Sequence, residues 1–289
     1  MSDLRDFLYL DAAKLHSFVS QIGGGLTNQI NETIRKHGGL SADVNVGIPG
    51  FGGKVGAGKE TENERQQTLQ LTEPAYFNVL YDYLESEKML HNITGTDLEK
   101  RESFREGQFV EIKGIAEPPA VEAWLKRVKE LMNFIDRNIN LFGGQSQGKS
   151  KSKSNLSRQQ MNLFKGMINF LEDYIRISRK DPEKQFVRVR GKEQVYFVWC
   201  GLIPNYAATP LEAVLPAEVS VVGRVEKLLG EGQVYKIVDL TNFNQPGNID
   251  KLFNALNALS PMIGQKEITE KDLQANYPDV FITPIAIYR

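Results

Sequence analysis

A single cysteine, Cys200, stands in 289 residues, beside only three histidines. One cysteine excludes an internal disulfide, and so few Cys and His leave no cluster at zinc-ligand spacing. No window approaches the ~18 consecutive apolar residues of a spanning helix, and the opening MSDLRDFLYLD carries charge throughout, with no apolar run of signal-peptide length. A cytoplasmic protein without metal or cofactor is the expectation. Charge of one sign is missing too: 35 Lys and Arg against 36 Asp and Glu give a net charge of -1 and a pI near 6.4. That balance removes the general attraction to phosphate polymers, so nucleic acid is not the expected partner. What is present is a foldable composition, 41% hydrophobic and 9% aromatic, long enough for one large domain or two of ordinary size.

The N-terminus predicts a strand, a turn and a helix. Phe7, Leu8, Tyr9 and Leu10 form a short apolar run, Asp11 stands where a helix N-cap is wanted, and Leu15, Phe18, Val19 and Ile22 follow at helical spacing until Gly23–Gly25. The next stretch, HGGLSADVNVGIPGFGGKVGAGKETENERQQTLQL, alternates small apolar residues with polar ones on both sides of Pro49-Gly50, the pattern of a glycine-rich hairpin. Phe51, Lys54 and Lys59 in it are candidate partner contacts. A peripheral membrane contact through this hairpin is an alternative, although each strand falls short of the ~9 to 11 residues that cross a bilayer. Glu73 to Leu90 predicts a helix and Gln108 to Ile115 a strand closed by Pro118-Pro119. With Asp82, Glu85 and Glu87 against Lys88, that helix lacks the charge of a DNA-reading element.

Two amphipathic helices are predicted over Val121–Phe142 and Leu156–Ile177, forming a long helical hairpin. Between them GGQSQGKS fits G-x-x-x-x-G-K-[ST], with Gly143, Gly148, Lys149 and Ser150 in the nucleotide-binding positions. A working P-loop follows a buried strand and opens directly into a helix. Here a helical pattern precedes the motif and the polar tract KSKSN follows it, so the segment reads as a low-complexity linker. Lys149, Lys151 and Lys153 then join the candidate partner contacts. GKVGAGKE places Glu60 where a magnesium-binding hydroxyl belongs and is discounted.

The last third is β-rich. Phe186, Val187 and Val189 pair across the turn GKEQ with Val195–Leu202; Val219–Leu229 and Val234–Leu240 predict a second hairpin about Gly230–Gly232; Ile249–Leu259 is a short helix. Val280–Tyr288 is a closing strand that Pro284 assigns to an edge or a bulge. The whole predicts an α+β fold: a mixed, mainly antiparallel sheet of about five strands with helices on one face. Two regions follow, 1–180 with the glycine-rich and helical hairpins and 181–289 rich in strands, with the first strand able to return to the C-terminal sheet. Cys200 lies in a hydrophobic run far from any histidine and reads as core. His16 in the first helix, His37, and His91 at a helix end read as structural, and Asp97/Glu99 and Glu102/Glu106 sit in a charged stretch with no apolar pocket.

FLYLDAAKLHSFVSQI resembles the YLD...L.S..SQ opening of a widespread bacterial family of unknown function. The glycine-rich stretch, EPAYFNVLYDYLESEKML, GQFVEIKGIAEP and VSVVGRVEKLL resemble it as well, so the likeness covers most of the chain. The resemblance carries no catalytic residues; it implies a cytoplasmic accessory protein in mobile-element or antiphage-defence surroundings. The function expected is therefore a non-enzymatic adaptor that acts through a partner macromolecule, another protein foremost. A P-loop NTPase is the alternative from the enzyme class.

Overall fold

The computed structural model describes residues 4–22, 72–94, 98–138, 158–179, 181, 183–191, 196–239, 253–254, 257–258 and 260–289. The glycine-rich hairpin and the GGQSQGKSKSKSN tract lie outside the described residues. Its main elements are β1 (Phe7–Leu10), α1 (12–22), α2 (Glu73–Ser86), β2 (Leu90–Thr94), α3 (Leu98–Ser103), β3 (Phe109–Glu117), α4 (Ala120–Arg137), α5 (Arg158–Ile177), β4 (Gln185–Arg190), β5 (Val198–Leu202), α6 (Leu211–Val214), β6 (Ala217–Leu228), β7 (Val234–Lys236), β8 (Gln274–Asn276) and β9 (Val280–Tyr288). Strands and helices are mixed without regular alternation and most pairings are antiparallel, which makes the fold α+β.

Five strands close on themselves. β3 pairs β4, β4 pairs β5, β5 pairs β9, β9 pairs β6 and β6 returns to β3, all antiparallel except β5 with β9. Alternation decides what fills the ring: Val110 and Ile112 of β3, Val187 and Val189 of β4, Val198 and Cys200 of β5, Val219 and Val221 of β6 and Ile282 of β9 share one buried cluster. A ring of five strands is narrow enough for such side chains to fill it. Two glycines let the strands turn inside it. A Cβ at Gly223 would lie 2.6 Å from both Thr283 O and Ile282 Cγ2, and one at Gly114 would lie 2.6 Å from Arg190 O. β1 extends the ring beyond β9, so the first strand does return to the C-terminal sheet, and β2 extends it in parallel beyond β3. The sheet therefore takes strands from both sides of residue 180.

Pro284 lies at one of the two places expected for it, a bulge, and two other local expectations are corrected. Pro284 lies in a central strand, β9, whose neighbours are β1, β5 and β6; the register slips beside it, and Ile285 and Ala286 in succession face the same buried cluster. The bulge tolerates the missing N–H, and no edge is needed. β7 does not return along β6: it pairs β8 in a separate two-stranded sheet. Helices cover two sides of the ring instead of one. Leu15, Val19, Phe77 and Leu80 of α1 and α2 pack with Val222, Ile285 and Tyr288, while Trp124, Val128, Ile168 and Ile175 of α4 and α5 pack with Phe186, Trp199 and Phe281.

The turn after α2 differs from its sequence reading for a definable reason. Helix ends at Ser86 because Lys88 takes a left-handed conformation, φ 56°, while its N–H donates to Glu85 O (3.0 Å) and that of Met89 to Leu84 O (2.8 Å). This is a Schellman closure with lysine where glycine is usual. Leu90 and His91 accordingly belong to β2, and His91 does not end a helix.

Under α2, the buried Glu111 accepts hydrogen bonds from the hydroxyls of Tyr81 (2.9 Å) and Tyr288 (2.8 Å), and the Arg5 guanidinium lies 4.3 Å from the Tyr81 ring centre. Burial, then the neighbouring carboxylate, pushes the Tyr81 phenol up to about 12; the same causes push Tyr288 up, and burial with Asp11 pushes Tyr9 up. A phenol whose folded pKa is raised gives stability fully present below its ordinary value and lost as pH rises through the folded one.

Two outcomes follow. Gly223→Val should destabilise the chain by about 3 kcal/mol or abolish soluble expression, whereas Lys88→Gly should stabilise it by about 1 kcal/mol, both read from urea midpoints; a neutral Gly223→Val would contradict the close approach. Alkaline titration should show circular dichroism falling together with a late rise of tyrosinate absorbance between pH 10 and about 12. Full tyrosinate signal with the fold intact would contradict the buried phenols.

Candidate functional site

The corner where β3 runs through Pro118-Pro119 into α4 is built by strand parity. Val187 and Val189 point into the ring, so Arg188 and Arg190 of QFVRVR point out, opposite Glu117 and Ile115 across a seam of three residue pairs. Glu117 accepts from Arg188 Nη2 at its Oε1 (2.8 Å) and from Arg190 Nε at its Oε2 (3.2 Å). The Arg188 guanidinium also lies 4.4 Å from the Phe197 ring centre, a cation–π contact on its far side. In the first turn of α4, Glu122 accepts from Arg179 Nη2 (2.6 Å). The Nε–H groups of Arg179 and Arg188 are buried without an acceptor among the described residues.

A second three-pair seam, the parallel β5–β9 contact, lies behind this corner. Asp279, 7% exposed, ties it: its carboxylate accepts from Phe197 N (2.9 Å), Trp199 Nε1 (2.9 Å) and Asn276 N (3.2 Å). Burial pushes the Asp279 carboxyl above its ordinary range, and the three donors and nearby Arg188 pull it back.

From the corner a groove of about 1120 Å³ follows α4, bounded by the end of α5 and by residues 264–268. Seven basic and six acidic side chains line it, over apolar surface from Trp124, Leu125, Ile175, Phe197 and Ile268. Near-equal charge excludes the one-sign field that draws polyanions, and suits a mixed-charge surface. The far wall is fastened by side chains rather than by a ladder: Trp124 Nε1 donates to Ser260 Oγ (3.1 Å), Asn257 Nδ2 donates to Ile268 O (2.8 Å), and Ile268 N donates back to Asn257 Oδ1 (2.7 Å). Thr269 and Asp272 close the following turn as a capping box.

Phe51, Lys54, Lys59, Gly143, Gly148, Lys149, Ser150, Lys151 and Lys153 all lie outside the described residues. The nearest described element before GGQSQGKS is α4, and the nearest after it is α5. Cys200 is fully buried in the ring, and burial pushes its thiol up to about 12, leaving negligible thiolate at neutral pH. His16 packs edge-on against Tyr76, ring centres 4.9 Å apart, and His91 is exposed on β2.

The YLD segment is a structural device. Asp11 is 1% exposed; its Oδ1 caps α1 by accepting from Lys14 N (3.0 Å), its Oδ2 accepts from Tyr9 Oη (3.3 Å) and pairs with Lys14 Nζ, and its own N–H donates to Ile285 O (2.8 Å). Sequence reading missed Glu117, Glu122, Arg179 and Arg188. The signal for Arg188 was present: in QFVRVR two arginines alternate with two core valines, the mark of one built polar face.

The model of a family described as a domain of unknown function, DUF6414, matches residues 4–288. No curated protein and no solved structure matches the chain significantly. No helix among the described residues is long and apolar enough to cross a membrane.

Removing Glu117 strands two guanidiniums at a seam of three pairs. Glu117→Ala should cost about 2–3 kcal/mol, and Glu117→Gln less, by chemical denaturation; a cost under about 0.5 kcal/mol for the alanine would place the pair among surface bridges that contribute little.

Proposed function

The chain belongs to the DUF6414 family, a domain of unknown function, and on that premise we propose that it is a non-enzymatic adaptor that recognises a partner protein, with the groove along α4 as its recognition surface. The observation that carries the reading is the groove's construction. Apolar floor and balanced charge together suit a polypeptide, which offers apolar side chains and charges of both signs. The lone thiol supports recognition over nucleophilic chemistry, since it is sealed in the ring. The cytoplasmic and antiphage-defence setting implied by the N-terminal resemblance is part of the proposal, as are contacts from Phe51, Lys54 and Lys59 and from the Lys149–Lys153 tract.

Photo-crosslinking tests it. A benzophenone amino acid at Lys266, on the groove wall, should give a discrete protein adduct in cells; at Asn92, on exposed β2, it should not. Deleting 143–155 should weaken that adduct while leaving the thermal transition in place. Equal adducts from both positions would contradict a localised surface. Binding heat with magnesium ATP or GTP that vanishes in Lys149→Ala would replace the adaptor reading by the NTPase one.

A further inference from the structure

Independently of the groove, on the α1–α2 side of the ring, we infer that Phe77, Tyr81 and Tyr288 form a cage for the guanidinium of a partner's arginine, which the chain's own Arg5 fills in its absence. The Arg5 guanidinium lies 5.5, 4.3 and 5.1 Å from the centres of those three rings, each inside the ~6 Å over which a ring face attracts a cation. Its side chain donates one hydrogen bond, from Nη1 to Asn78 Oδ1 (2.8 Å), and among the described residues no carboxylate pairs with it. Ring faces, not an ion pair, hold this cation.

The walls stand without Arg5. Phe77 and Tyr81 are four residues apart on α2 and so share a face, and the hydroxyls of Tyr81 and Tyr288 donate to the two oxygens of the buried Glu111 (2.9 and 2.8 Å). Phe7 meets Phe77 and Tyr288 edge-on, ring centres 5.2 and 5.7 Å apart. The Glu111 carboxylate polarises both phenols through those bonds and sets negative charge behind rings that face a cation. The plug is held less firmly. Just before β1, Asp6 and Arg289 exchange backbone hydrogen bonds (3.2 and 3.0 Å), but Leu4 on the other side of Arg5 is fully exposed. Arg5 and Tyr81 are only half-buried and Asn78 is exposed, so the mouth of the cage lies at the surface and Arg5 can leave it while β1 stays paired. A guanidinium suits the site better than an ammonium: it is flat and weakly hydrated, and it offers an N–H to Asn78 Oδ1. A quaternary ammonium has no such N–H. The ligand is thus an arginine side chain of a partner polypeptide.

The test uses the full chain with 13C-labelled tyrosine, its ring resonances assigned through Tyr81→Phe and Tyr288→Phe. The probes are the blocked peptide acetyl-Gly-Arg-Gly-amide, its citrulline counterpart, which keeps the shape without the charge, and tetramethylammonium. In Arg5→Ala the arginine peptide should shift the Tyr81 and Tyr288 resonances saturably, and the wild-type chain should need about tenfold more peptide because Arg5 competes for the cage. The citrulline peptide and tetramethylammonium should each bind about tenfold more weakly than the arginine peptide. If Arg5→Ala does not fold, the wild-type chain with 15N-labelled arginine carries the test: the Arg5 Nε–Hε resonance should move toward its solvent-exposed position as the arginine peptide is added. No saturable shift in folded Arg5→Ala, an Arg5 resonance that stays in place, equal binding of citrulline or tetramethylammonium, or equal affinity of the wild-type and Arg5→Ala chains would overturn the inference and leave Arg5 a structural clamp. The crosslink at Lys266 is untouched by any of these outcomes, so the groove and the cage fail separately.

Discussion

Closure of the five-stranded ring depends on the ion pairs that Glu117 makes with Arg188 and Arg190. β6 runs along β3 and β9 for most of its length, but β3 meets β4 over only three residue pairs and β5 meets β9 over three. A seam so short supplies few ladder hydrogen bonds, and each has a buried or half-buried acid across it: Glu117 at the first, Asp279 at the second. Arg188 joins the two, since it pairs with Glu117 across β3–β4 and stacks on Phe197, whose backbone N–H is bound by Asp279. Satisfying these groups reciprocally is what makes a polar cluster at a seam stabilising instead of costly.

The groove inherits its mechanics from that arrangement. Its corner is formed by residues fixed in ring strands, and is held by the same contacts that close the ring. Its far wall, residues 260–272, rests on the α4 flank through the Trp124–Ser260 bond and the Asn257–Ile268 pair. The corner is thus fixed within the sheet, and the facing wall is fastened through side chains and a capping box. The groove's polar residues also sit where the strand ends leave the ring, outside its packed interior, so the proposed contacts would not compete with core packing.

Much of the fold was legible in local patterns. The apolar FLYL run, the capping Asp11, the alternating QFVRVR and the amphipathic periods of α4 and α5 each specify an element from within a few residues. What was not legible is non-local. Ring closure depends on β6 choosing β3 and β9 over the adjacent β7, and no local signal distinguishes a hairpin about Gly230–Gly232 from a strand leaving for a second sheet. Pro284 was readable as a bulge but not as central, because the burial of β9 is set by β1, β5 and β6, all distant from it in sequence. The site was harder still: Glu117, Glu122 and Arg188 come from β3, α4 and β4 and Arg179 from the segment after α5, and they carry no motif, whereas GGQSQGKS carries a motif and lies outside the described residues. Alternation flagged Arg188 as outward facing, but only the seam shows what it faces.

Native-state hydrogen exchange tests the central claim, that a ring closed at two short stapled seams presents a fixed corner beside a wall held through side chains. The account predicts that amides of residues 115–117, 188–190, 198–200 and 280–282 exchange only through global unfolding, while residues 260–272 exchange through local opening at a clearly lower free energy. Seam amides that exchange ahead of the β3–β6 and β6–β9 ladders would mean the ring opens locally, and would contradict it.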